Sequence, residues 1–244
     1  MRVLAQRSLS SAGSACHMLT SVSVTNLSDG CSAFLTILPR TVERCAAPNG
    51  PKMTRVYAMN QLGNGLAMVE RHEERLGVLK AKLATDTRIG AGPDIILGTQ
   101  SNIAMSYSVL GRKQESLGVY REIYAKAVEL HGKSDERTFA ATNNLSSCLK
   151  EAGHIAEAIA LLRQGIPEAK KSLGAEHDIT LSLCQALAQC LCDEHGASPE
   201  QIREAVALLE STLRTSQRVF GRAHPNTKRL EGDLAIARLM LPRP

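Results

Sequence analysis

The chain reads as an all-α solenoid of repeated helix–turn–helix units, and three observations predict it. Glycines at 90, 132, 174 and 221 recur at intervals of 42, 42 and 47 residues. Each of the last three is followed six residues later by a threonine: Thr138, Thr180 and Thr227. Aromatic residues make up only 3% of the chain and tryptophan is absent. Its core must therefore rest on Leu, Ile, Val and Ala, which suits helix packing better than a sandwich or barrel.

Residues 1–53 differ in kind from the rest. "MRVLAQRSLSSAGSACHMLTSVSVT" carries Arg, Ser and small residues, and no acid precedes Asp29. It has no clean apolar stretch followed by a small-residue cleavage site, so a secretory signal is not expected. Such a segment reads as a disordered tail, an over-extended start or an organellar transit peptide. The expected location is cytoplasmic, or mitochondrion or plastid if the segment is a transit peptide. "CAAPNGPKM" (45–53) supplies a Pro/Gly boundary.

Residues 54–89 form a helical lead-in or a degenerate first repeat. "NGLAMVERHEERLGVLKAKLATDTRIG" (64–90) has apolar residues at helical spacing and is expected to be one helix ending at Gly90. Three repeats follow, at 90–131, 132–173 and 174–220, with a capping helix at 225–241. Ile103-Ala104 with Tyr107 returns as Leu145-Ser146 with Leu149, then as Leu187-Ala188 with Leu191. A large residue, a small one and a large one three later place a tight stripe on one helix face. After the turns at Gly111 and Gly153, second helices carry Leu117 and Tyr120, Ile159 and Leu162, or Val206 and Leu209. Ser116, Ala158 and Ala205 sit where the helices must cross closely.

The ends of these helices have local causes. A glycine in the left-handed conformation commonly closes a helix. The next helix then starts on "SDERT", "EHDIT" or "AHPNT", with Pro225 suited to a first turn that needs no N–H. Gly165 and Pro167 inside one helix predict a kink. The turn "CDEHGASPEQ" lengthens the third repeat, an insertion that costs little. Arg238 stands in the column of Tyr107, Leu149 and Leu191, as a solvent-facing cap requires.

In their order and period these motifs resemble tetratricopeptide repeats of the 42-residue kinesin-light-chain type. "GRAHPNT", "GAEHDIT", "NIAMSYSVLG", "NNLSSCLKEAG" and "EAIALL" carry the match over about residues 90–240. The resemblance implies a right-handed superhelix whose first helices line a concave groove. At 3.6 residues per turn, a stripe about 130° from the core face collects Ser101, Met105 and Ser108; Asn143, Ser147 and Lys150; and Gln185, Gln189 and Cys192. In similar arrays this stripe faces the groove. Asn and Gln supply both donors and acceptors for an extended peptide backbone, and Lys150 adds a cation. Asn102 and Asn144 lie in a third direction and read as structural.

The expected function is a protein-interaction scaffold that binds an extended peptide or partner protein, with a self-associating scaffold as the alternative. Nucleic acid and membrane are not expected as partners, and the array is expected as a monomer. Of the net charge of +5, residues 1–52 hold +3 and the other 192 residues only +2, without the dense basic patch a phosphate-backbone binder needs. No run is long and apolar enough for a transmembrane helix. Seven cysteines without framework spacing read as free thiols in a reducing compartment.

No enzyme, cofactor or metal site is expected. The sharpest rival is a thiol or zinc site at Cys184, Cys190, Cys192 and His195. On one helix Cys184 and Cys190 point about 240° apart, and Cys190 follows Cys148 by one repeat, so burial explains them better than zinc. His131, His177 and His224 fall at repeat junctions and read as structural. No nucleophile elbow, phosphate loop or zinc-protease signature occurs.

Overall fold

The computed structural model describes residues 52–68, 70–193 and 197–241, so the N-terminal segment at 1–51 and His195 lie outside the described residues. These residues form helices and connecting turns and contain no strand. They divide into two units, one up to Ile89 and one from Gly90 onward.

The first unit is a helical hairpin of α1 (Lys52–Met68) packed on α2 (His72–Arg88). The stretch expected as one helix is therefore two. Glu70 at φ 57° breaks it, and α2 starts behind the Arg71–Glu74 ion pair. Gly63 stands 41 residues before Ala104, and a Cβ there would lie 3.5 Å from Leu79 Cδ2. It thus fills the close-crossing position of a repeat, and Leu66, Leu76 and Leu79 are its buried layer. In the second half of α2, Lys82 and Asp86 are buried as an ion pair at 2.6 Å. In the following repeat the matching positions hold Ile123 and Ala127, so the hairpin replaces an apolar layer with an ionic one.

The second unit comprises α3 (Pro93–Val109), α4 (Lys113–His131), α5 (Glu136–Glu151), α6 (Ile155–Ser172), α7 (Asp178–Leu191), α8 (Pro199–Phe220) and α9 (Pro225–Leu239). Each helix packs on the next in sequence, and the first helices α5 and α7 of successive pairs also touch. That is solenoid packing. Small residues decide how close the pairs come. Ala104, Ser146 and Ala188 on the first helices, and Ser116, Ala158 and Ala205 on the second, are all fully buried. Ser116 Oγ also donates to the Ala104 carbonyl at 2.8 Å across the crossing. On α9 the same column holds Ala235, which is exposed, with no second helix packed on it among the described residues. Arg238 is exposed too, and its guanidinium reaches Glu210 of α8 at 2.7 Å.

The junctions follow a common design with one correction. Gly132 has φ 83° and ψ 171°, and Gly221 has φ 84° and ψ 164°. These are not left-handed helical caps but the extended, positive-φ region that only glycine occupies readily. The chain leaves the helix extended and re-enters the next one through a capping residue. Asp135 Oδ1 accepts from the Arg137 N–H at 2.9 Å. In the next two repeats His177 and His224 do the same with Nδ1, accepting from Ile179 and Asn226 N–H groups at 3.3 and 3.2 Å. Two of the three junction histidines are thus helix caps, and the third, His131, ends α4 and pairs through Nε2 with Asp94 at 2.7 Å. The lengthened turn of the third repeat closes on a capping box, in which Ser198 and Gln201 exchange hydrogen bonds ahead of Pro199. The fourth helix of this unit, α6, runs through Gly165 and Pro167 as one helix.

Candidate functional site

The first helices α5, α7 and α9 form the walls of a cavity of about 350 Å³. Lys150 enters from α5; Ala188 and Gln189 come from α7, with Cys192 and Asp193 just beyond its end. Asp233 and Ile236 come from α9, and Leu209 of α8 closes the floor. In repeat coordinates, Ile236 falls in the column of Met105, Ser147 and Gln189, and Cys192 falls in that of Ser108 and Lys150. Two columns of the expected stripe therefore meet at this cavity.

The expected residues divide into three groups. Lys150 and Gln189 line the cavity. Met105 (47% exposed) and Ser147 are open to solvent on α3 and α5, with Ser101 and Asn143 half-buried beside them. Ser147 Oγ donates to the Asn143 carbonyl one turn back at 3.1 Å. Ser108 and Gln185 are engaged within the protein. Ser108 Oγ donates to Glu151, which ties α3 to α5. Gln185 is only 5% exposed, and its amide donates to Asp233 at 2.6 Å. Burial takes it out of reach of a ligand.

Asp233 is the residue that sequence reasoning missed. It shares its column with Asn102 and Asn144, which read as structural in the sequence. Yet its Oδ2 accepts from both Gln185 and Gln189, at 2.6 and 2.8 Å, and the carboxylate lines the cavity. The signal was an acid in an otherwise neutral column of the last helix.

The four described thiols lack the character of nucleophiles. Burial pushes the Cys190 thiol up to about 11 and raises those of Cys148, Cys184 and Cys192. At neutral pH they remain protonated, the form that neither attacks nor binds metal. Among the described residues no group of three His, Cys, Asp or Glu side chains converges as a metal site. No described helix is long and apolar enough to cross a membrane.

Residues 96–167 match one family model for the tetratricopeptide repeat, and residues 200–226 match another. The repeats are tetratricopeptide repeats. Solved structures carry the same fold. One is the array of nearly identical repeats in a Podosopora anserina protein assigned as a kinesin light chain, 22% identical, with TM-score 0.60 over 78% of this chain and 88% of that one. A point-substituted form of that array gives 0.64 at 18% identity, over 87% and 95%. BtubC (BKLC) from P. vanneervenii gives 0.63 at 14% identity, over 88% of each. No protein of curated function matches the chain in sequence. Tetratricopeptide arrays are protein-interaction scaffolds and typically not enzymes, and this chain is such a scaffold in architecture.

Proposed function

We propose that the array binds an extended segment of a partner protein along the face made by α3, α5, α7 and α9. The observation that carries this reading is the cavity between α5, α7 and α9, whose Lys150 lies on the same helix as Ser147 and Asn143, about one and two turns further along. Half-buried amides and hydroxyls on rigid helices can pair with peptide N–H and C=O groups without first reorganising. The ordering cost then falls on the peptide alone. Exposed Met105 and Ile236 (47% and 58%) supply apolar contacts on either side of this polar centre.

The test uses residues that hold the surface without holding the fold. A variant carrying Asn143→Ala and Ser147→Arg fills the face between α3 and the cavity with a bulky cation. Both positions lie outside the fully buried core. Immobilised protein of each form is incubated with extract, and the retained proteins are compared by mass spectrometry. The reading predicts that partners reproducibly retained by the natural sequence are lost from the variant, while circular dichroism is unchanged. The same partners on both forms would contradict it.

A further inference from the structure

The cavity holds two opposite charges that no contact within the described residues joins. Lys150 reaches it from α5 and Asp233 from α9, with α7 between them. Asp233 is held by two neutral amides, Gln185 and Gln189, and both donate to the same oxygen, Oδ2. Its charge is therefore oriented but not balanced, and Oδ1 accepts from no described donor. The Lys150 ammonium, half-buried at the other wall, meets no described carboxylate within ion-pair distance. The second acid of the lining, Asp193 just beyond α7, is already engaged. Apart from Gln189 and Cys192, the rest of the lining is apolar: Ala188, Leu209 and Ile236.

Half-buried charges without a counter-ion are costly, and a ligand that supplies both counter-ions recovers that cost. We propose that this cavity takes a peptide segment carrying one basic and one acidic side chain. The basic end meets Asp233 Oδ1, and its methylene stem lies on Ile236 and Leu209. The acidic side chain meets Lys150. In an extended segment, residues two apart project to the same side, so a basic-x-acidic pair presents both charges to one surface. The proposal rests on the groove reading above, because the polar residues beside the cavity are what would hold the rest of the segment.

The experiment uses the full chain and four pools of fluorescein-labelled nonapeptides, followed by fluorescence anisotropy at low salt. Flanking positions are degenerate over Ala, Ser, Val and Gly; the central triplet is Arg-x-Glu, Arg-x-Ala, Ala-x-Glu or Ala-x-Ala. The Arg-x-Glu pool should bind about tenfold more tightly than the uncharged pool, a gain of the size that desolvated charge pairs give. Asp233→Asn keeps an oxygen for both Gln amides, so the fold should survive, but the preference for Arg should vanish and that for Glu persist. Lys150→Met should do the reverse. If the uncharged pool binds as well as the others and Ser147→Arg abolishes it, the groove stands and the charge assignment is overturned. A preference for Arg that survives in Asp233→Asn also overturns it. If no pool binds, both readings fall.

Discussion

At the scale of single residues, the recurring threonine meets three different surroundings. Thr138 Oγ1 donates to the Gly132 carbonyl at 2.6 Å and lies 3.3 Å from that of Ala127, which ties the incoming helix to the end of the last one. Thr227 instead pairs with the Ser216 hydroxyl at 2.8 Å. Thr180 is fully buried, and its hydroxyl has no partner among the described residues. Removing an unsatisfied buried hydroxyl costs nothing in hydrogen bonding, whereas removing a satisfied one forfeits about 1 kcal/mol. Thr138→Val should therefore lower unfolding stability by about 1 kcal/mol, and Thr180→Val should leave it unchanged or raise it. Urea denaturation followed by circular dichroism measures both. Equal losses at the two sites would show that the column acts through shape rather than through its hydroxyl. The spacing of these threonines was plain in the sequence. Which of them found a partner was not: Ala127 and Ala169 precede Thr138 and Thr180 alike, yet only Thr138 reaches a carbonyl, while Ser216 gives Thr227 a hydroxyl.

At the scale of elements, the repeats from Gly90 onward were legible because large, small and large residues recur in fixed order. The first hairpin was not. Its small residue is Gly63 rather than Ala or Ser, its turn carries Glu70 in place of glycine, and its second helix puts Lys82 and Asp86 where apolar residues are expected. A buried ion pair reads in sequence as a solvated helix face. The substitution has an energetic signature. Breaking such a pair by removing one partner strands the other charge and typically costs about 3–5 kcal/mol, while replacing both with apolar residues is often neutral. Lys82→Met should thus destabilise strongly, and the double variant Lys82→Met with Asp86→Leu should recover most of the loss. A guanidinium melt of the single and double variants reads this directly. A double variant no better than the single would mean that the layer needs polar atoms for its other contacts.

At the scale of the whole molecule, repetition is drawn on the outer surface as well as in the core. Arg121 pairs with Glu157 at 2.7 Å, and one repeat later Arg163 pairs with Glu204 at 2.8 Å, linking α4 to α6 and α6 to α8. Both pairs are exposed, so each contributes at most about 1 kcal/mol, and they mark register more than they supply stability. The inner face differs from repeat to repeat, and that is where binding is proposed to reside. Its stripe could be found by angle alone, and Lys150 and Gln189 of that stripe line the cavity. What the angle could not reveal is contact between repeats. Gln185 turns out to be spent on Asp233, and Asp233 turns out to line the cavity, because its carboxylate on the last helix accepts from both glutamines of α7.

The claim that this inner face engages a partner is tested most directly by a photo-crosslinker placed at single positions. Benzoylphenylalanine at Ser147, exposed on α5, should capture a discrete product in cells; the same group at Ala160, exposed on α6, should not. Capture at Ala160 with none at Ser147 would move the interaction to the second helices and contradict the account.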